Sequence, residues 1–156
     1  MLEKHLKEDL MFLKLDVSSR DELFKKMSDI YVEKKLVKED FYQFLSERED
    51  DYPTGLQLED YAVAIPHGNP EHIKESFVSV VSLTKPIMIN KMEDASEKIP
   101  IDLFFFLGLG DGNTHLGILR ETMGLIQKKE LVDKLREAQS SKEAFITIQS
   151  ELKSHN

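Results

Sequence analysis

The sequence predicts an α/β or α+β sandwich, one sheet with helices packed against both of its faces. Three observations lead there. The stretch IDLFFFLGLG (101–110) is the most apolar in the chain, and it is too short and too continuous for an amphipathic helix. It therefore reads as a central strand covered on both sides. Helical stripes come before and after a middle section of strand-like runs. At 156 residues, 40% hydrophobic and 32% charged, the chain is sized for one domain spanning residues 1–156, and no repeat, low-complexity tract or linker divides it.

The elements follow in order. LMFLKLDV (Leu10 to Val17) is a short apolar run, read as a strand. Ser18 or Ser19 can then cap a helix whose first turn carries Asp21 and Glu22. That helix places Leu23, Met27, Ile30 and Tyr31 at three- and four-residue spacing, one inward stripe with lysines outside it. A second helix over roughly Lys38 to Glu49 sets Phe41, Phe44 and Leu45 on one side, and the acidic run 47–51 reads as a solvated face. YPTGL (52–56) reads as a loop, because Pro53 biases Tyr52 away from helix and Gly55 accepts unusual backbone angles. YAVAI (61–65) is a strand. SFVSVVSLTKPI (76–87) is a buried strand, with IMIN (87–90) as a further short one. After the central strand, Asp111 and Gly112 supply turn chemistry, and Asn113 or Thr114 caps a helix with Leu116, Leu119, Met123 and Ile126 inward. The remainder reads as two short helices parted near Gln139 to Ser141.

Composition excludes several functions. There is no cysteine, so disulfides, thiol catalysis and cysteine-ligated zinc are absent together. No apolar run reaches the roughly 18 residues that would span a bilayer, and MLEKHLKEDL lacks the apolar segment of a signal peptide, so no membrane insertion and a cytoplasmic location are expected. A net charge of −8, from 21 basic and 29 acidic residues, opposes nucleic-acid binding and better suits a basic or mixed-charge protein partner. His67 and His72 lie five apart across a loop containing Pro70, which is not zinc spacing, and His5 and His155 lie near the termini. No glycine-rich phosphate loop and no Gly-x-Ser-x-Gly elbow occur. Neither a metal nor a cofactor is expected.

The chemistry concentrates at YAVAIPHGN (61–69). A strand ending in Pro-His-Gly puts His67 at the carboxyl end of the sheet, where α/β folds bind ligands, although the same three residues also make an ordinary turn. His115 falls in the first turn of a helix, where free backbone N–H groups and the helix dipole favour an anion. Arg48 sits among Glu47, Glu49, Asp50 and Asp51 before the YPTGL loop. Its planar fork of donors suits phosphoryl oxygens, and a surface ion pair would suit it too. Thr54 and Gly55 offer a hydroxyl or a backbone donor beside it.

SEREDDYPTGLQLEDYAVAIPHGN (46–69), followed some fifty residues on by LFFFLGLGDGNTHLGILRETMGLI (103–126), resembles the enzyme IIA components of the sugar phosphotransferase system. The resemblance covers about residues 10 to 150. It is to the fructose/mannitol superfamily, with YPTGL closest to galactitol-type members. It implies a single α/β domain with a mixed sheet flanked by helices on both faces, working as a phosphocarrier. Such a protein accepts a phosphoryl group from phospho-HPr on the histidine of Ile-Pro-His and passes it to a IIB component for sugar uptake. His67 would then be the nucleophile, His115 its phosphate-contacting neighbour, Arg48 the charge-stabilising partner, and Thr54 a residue beside the site. A regulatory phosphocarrier of the nitrogen kind, acting by phosphorylation-dependent protein binding, is the alternative within the same resemblance. KMEDASEK (91–98) matches no feature of that family.

Overall fold

A computed structural model of the chain describes residues 2–110 and 112–154, without the side chains of Asn113 and Thr114. Among these residues, five strands and five α-helices succeed one another as β1 (Leu6–Leu15), α1 (Arg20–Glu33), α2 (Phe41–Asp51), β2 (Gly55–Gln57), β3 (Ala62–Ala64), β4 (Phe77–Asn90), β5 (Lys98–Gly108), α3 (Gly112–Ile126), α4 (Lys129–Glu137) and α5 (Ser141–Lys153). The sheet runs β1-β4-β5-β3-β2. β1 is parallel to β4 and β3 to β5, whereas β4–β5 and β2–β3 are antiparallel. The class is α/β with a mixed sheet, as the sequence predicts.

β5 explains the layers. Phe104 and Phe106 point into a core shared with α1 and α2, through Leu23, Phe24, Met27, Tyr31, Phe41 and Leu45. Leu103, Phe105 and Leu107 point the other way, into a core shared with α3, α4 and α5. This alternation is the pleat at work, and the stretch 103–108, apolar at every position, can only be covered on both faces. Each of these buried phenylalanines contributes on the order of 1.5–3 kcal/mol. Phe24 meets Phe106 edge-on with ring centroids 5.6 Å apart, a preferred aromatic geometry. At the start of α1, Ser19 is the cap and its hydroxyl accepts the Glu22 amide, while the Glu22 carboxylate reaches back to the Ser18 N–H, closing a capping-box-like pair.

Several boundaries differ from the sequence reading, each for a physical reason. β1 starts at Leu6 rather than Leu10 because it is an edge strand, where exposed Lys7, Glu8 and Asp9 are tolerated. The SFVSVVSLTKPI and IMIN runs form one strand, β4, whose register shifts between Ser82 and Ile87, the stretch that contains Pro86. α2 begins at Phe41 because the residues before it are engaged elsewhere: Val37 bridges Ile73, and the Lys38 amide donates to the His72 carbonyl. Gly55 and Leu56 of the expected YPTGL loop join Gln57 in β2. Gly55 has no positive φ. It is small because a Cβ there would stand 2.6 Å from the Asn90 carbonyl oxygen.

α3 also differs. It starts at Gly112, so Asn113 and Thr114 lie within it rather than capping it; Asp111 and the side chains of Asn113 and Thr114 lie outside the described residues. Its fully inward residues are Ile118, Thr122, Leu125 and Ile126, whereas Leu116 is 59% exposed. Leu119 and Met123 are half-buried and line a cavity.

Candidate functional site

β3 ends at Ala64, and the Ile65-Pro66-His67 segment that follows is clamped on both sides. The Ile65 amide donates to the Thr54 carbonyl at 3.3 Å, and the Leu107 amide of β5 donates to the Pro66 carbonyl at 3.0 Å. Pro66 fixes the local φ and lacks an N–H, so the chain turns outward here without an orphaned donor. His67 then bridges Leu107 at the carboxyl end of the central strand. Its Nδ1 lies 2.7 Å from the Ile65 carbonyl oxygen. A carbonyl only accepts, so Nδ1 carries the proton and Nε2 keeps its lone pair, with no partner among the described residues.

His67 is 8% exposed, so its ring is enclosed rather than set in the shallow, solvent-accessible depression that in-line approach of a phosphoryl donor calls for. The ring is reached from a cavity of about 630 Å³, whose wall also includes Arg48, Thr54, Met92, Leu119 and Met123. This is where the outer face of α3 turns: Leu119 and Met123 line the cavity. His115, in the first turn of α3, stands edge-on to His67 with ring centroids 6.4 Å apart and planes at 88°. Arg48 donates from Nη1 to Asn69 Oδ1 at 3.2 Å, and its guanidinium lies 5.5 Å from the centre of the Tyr52 ring. Asn69, two residues beyond His67, thus ties the end of α2 to the histidine loop.

Thr54 lines the same cavity, but both of its donors are taken. Its amide donates to Glu49 at 2.8 Å, and its hydroxyl lies 3.0 and 3.1 Å from the two Glu49 carboxylate oxygens. Glu49 is therefore not part of a solvated acidic face; it is 2% exposed. The spacing held the signal, since Phe41, Leu45 and Glu49 are successive fourth residues on one helical face. Burial pushes the Glu49 carboxyl from 4.5 up to about 7, while the Thr54 hydrogen bonds and the charges of Arg20 and Arg48 pull it down. Its folded-state pKa exceeds the unfolded value, so its contribution to stability is full below pH 4.5 and is lost as pH rises through about 7.

His72 belongs to packing. Its ring stacks on Phe44 at 4.0 Å, and its Nδ1 lies 3.2 Å from Asp40 Oδ1. Among the described residues, no group of three or more His, Asp or Glu is placed to hold a metal ion, and no helix is long and apolar enough to cross a membrane. The unmatched KMEDASEK stretch is the turn from β4 into β5. The Met92 amide donates to the Gly55 carbonyl at 2.8 Å, and Met92, Glu93 and Ala95 wall the cavity opposite α3. Nothing in the residue types of 91–98 foretold this, because only the β4–β5 pairing carries that turn to the histidine.

The imidazole of His67 is set for nucleophilic work. Burial, chiefly, lowers its pKa from the ordinary 6.5; the bond to the Ile65 carbonyl acts in the opposite direction, and the neighbouring Arg48 and His115 add to the lowering. In an NMR titration the His67 ring protons should therefore show a midpoint below pH 6.5, so that the neutral nucleophile persists into mildly acidic solution. A midpoint above 6.5 would contradict this electrostatic picture.

Residues 4–151 match the family described as phosphoenolpyruvate-dependent sugar phosphotransferase system, EIIA 2. The PTS system galactitol-specific EIIA component of Escherichia coli strain K12 is 27% identical over 127 residues, 80% of this chain and 84% of that protein. The nitrogen regulatory protein IIA-Ntr from Neisseria meningitidis has the same fold, with a TM-score of 0.72 at 21% identity over 93% of this chain and 97% of that one. A solved complex of enzyme IIA mannitol and phosphorylated enzyme IIB mannitol from Escherichia coli is matched with a TM-score of 0.76 at 16% identity, covering 93% of this chain and 97% of that one. At such identities the solved structures speak to the fold.

Proposed function

The chain belongs to the EIIA 2 family of the phosphoenolpyruvate-dependent sugar phosphotransferase system, and from that premise we propose that it is a cytoplasmic phosphocarrier in which His67 takes a phosphoryl group from phospho-HPr and passes it to a IIB component. Residues 1–156 act as one IIA type-2 domain in this reading. The relative named for galactitol favours service in a system of that kind. The observation that supports the assignment of His67 is the 2.7 Å bond from its Nδ1 to the Ile65 carbonyl, which leaves the lone pair on Nε2 of a ring that lines the cavity.

The lone pair of Nε2 attacks phosphorus as the donor's P–N bond breaks, and the electron pair of that bond returns to the donor imidazole. The His67 ring gains positive character, which the Ile65 carbonyl stabilises through the Nδ1 proton. Phosphoryl transfer asks the protein mainly for position and charge. In this reading Arg48, on the cavity wall, and His115, edge-on to His67 in the first turn of α3, supply the charge and donors that steady the phosphoryl oxygens. Because His67 lines the cavity, donor and acceptor use that opening in succession in this reading. Exposed Tyr52 and Met92 on its rim, at 67% and 45%, offer apolar surface to a protein partner.

The test is intact mass after incubation with phosphoenolpyruvate, enzyme I and HPr, followed by addition of a galactitol-type IIB protein. One acid-labile phosphoryl group should appear on the chain and then leave it when IIB is added. A chain that stays unmodified while HPr is phosphorylated would refute the carrier reading, and a phosphorylated chain that keeps its group in the presence of IIB would refute the transport role.

A further inference from the structure

We propose that Glu49 is a positioning residue for the phosphoryl-accepting histidine: its buried carboxylate fixes Thr54 and, through Thr54 and Ile65, fixes the ring of His67. This rests on the phosphocarrier reading of His67. The connection is an unbroken series of hydrogen bonds. Glu49 Oε2 accepts the Thr54 amide at 2.8 Å, and the Thr54 hydroxyl lies 3.0 Å from Oε1 and 3.1 Å from Oε2. The Thr54 carbonyl accepts the Ile65 amide at 3.3 Å. The Ile65 carbonyl accepts from His67 Nδ1 at 2.7 Å. A single residue, first Thr54 and then Ile65, lies between one bond and the next, and the Ile65-Pro66 segment is held by backbone bonds to Thr54 on one side and to Leu107 on the other, so a displacement of Thr54 bears on the His67 ring.

The residue type is suited to this task and poorly suited to any role in packing. Glu49 continues the stripe of Phe41 and Leu45, where an apolar side chain would bury without a desolvation cost. A carboxylate there satisfies two Thr54 donors at once, which neither an apolar nor a purely donating side chain does. The charges around it are Arg20, whose guanidinium pairs with Asp50 at 2.8 Å, and Arg48 on the cavity wall. With both donors held by Glu49, Thr54 does not reach the phosphoryl group. Its part in the site is to transmit position.

Three variants and two readouts test this. Glu49→Asp keeps the charge but draws the oxygens back by one methylene; Glu49→Ala removes them; Glu49→Gln keeps an oxygen for the Thr54 amide without the charge. The ¹⁵N spectrum of the His67 ring reports the tautomer without any donor present, and single-turnover phosphorylation by phospho-HPr reports the chemistry. Wild type should hold the Nδ1–H tautomer. The Asp and Ala variants should show a mixture of tautomers and a rate lower by about tenfold, as expected for a misplaced nucleophile. Gln should keep the wild-type tautomer and lose no more than about threefold, the scale of one hydrogen bond. If Ala does not fold, Asp against Gln makes the same comparison. Wild-type tautomer and rate in the Asp variant would overturn the proposal, as would a Gln variant as slow as Asp with its tautomer unchanged. Failure of wild type to accept phosphate would strike the carrier reading instead, and the tautomer comparison would still decide whether Glu49 positions His67.

Discussion

His67→Ala should take up no phosphoryl group from phospho-HPr under conditions in which wild type is fully modified. The expectation is complete loss because, among the described residues, no other histidine lines the cavity. The Nδ1 of His67 is bonded to the Ile65 carbonyl, so its Nε2 keeps the lone pair on a ring that lines the cavity. His115 sits with its ring centre 6.4 Å away, too far to stand in for a nucleophile at the same phosphorus without the helix moving. His72 is held by Phe44 and Asp40. Intact mass measures the outcome directly, and a circular dichroism spectrum like that of wild type separates lost chemistry from lost fold. Modification of the His67→Ala chain to the wild-type extent would move the nucleophile elsewhere.

Arg48→Ala should leave acceptance possible but slow it by about 10²-fold, the scale on which removal of a preorganised charge donor acts in a partly dry site. Arg48 is placed by two contacts, Nη1 with Asn69 Oδ1 at 3.2 Å and the face of the Tyr52 ring at 5.5 Å. Its aim therefore depends on the guanidinium shape as well as on the charge. Arg48→Lys should recover only part of the rate, because an ammonium keeps the charge but not the planar fork of donors. Rapid-quench single turnovers with phospho-HPr check both variants. An Arg48→Ala rate within twofold of wild type would show that transfer takes its electrostatic help from α3 and His115 instead.

Much of this architecture was legible in the residues, and the parts that were not share a cause. IDLFFFLGLG announced a doubly covered strand because its apolar run leaves no face for water. The Ser18-Ser19 pair announced the start of α1 because few residues cap as serine does, and Ser19 is the one that caps it. His67, His115 and Arg48 were each visible at the end or beginning of an element, where the α/β arrangement gathers side chains, and the structure brings all three to one place. What escaped was whatever depends on a neighbour distant in sequence. Charged β1 residues are permitted because that strand has an edge, which only the sheet order reveals. Gly55 is required by the Asn90 carbonyl across the sheet, not by its own φ. Leu116 fits the helical period yet faces outward, since the phase of α3 is set by Ile118 and Thr122 against the core. Glu49 was misread for a different reason: its charge masked a position that the spacing from Phe41 and Leu45 marks as inward.

The measurement that bears most directly on the account is ³¹P and ¹⁵N NMR of the wild-type chain after phosphorylation by phosphoenolpyruvate, enzyme I and HPr, to identify the nitrogen that carries phosphorus. The hydrogen bond from Nδ1 to the Ile65 carbonyl predicts a single phosphohistidine at His67, substituted on Nε2 and still protonated on Nδ1. Phosphorus on His67 Nδ1, or on His115, would contradict it.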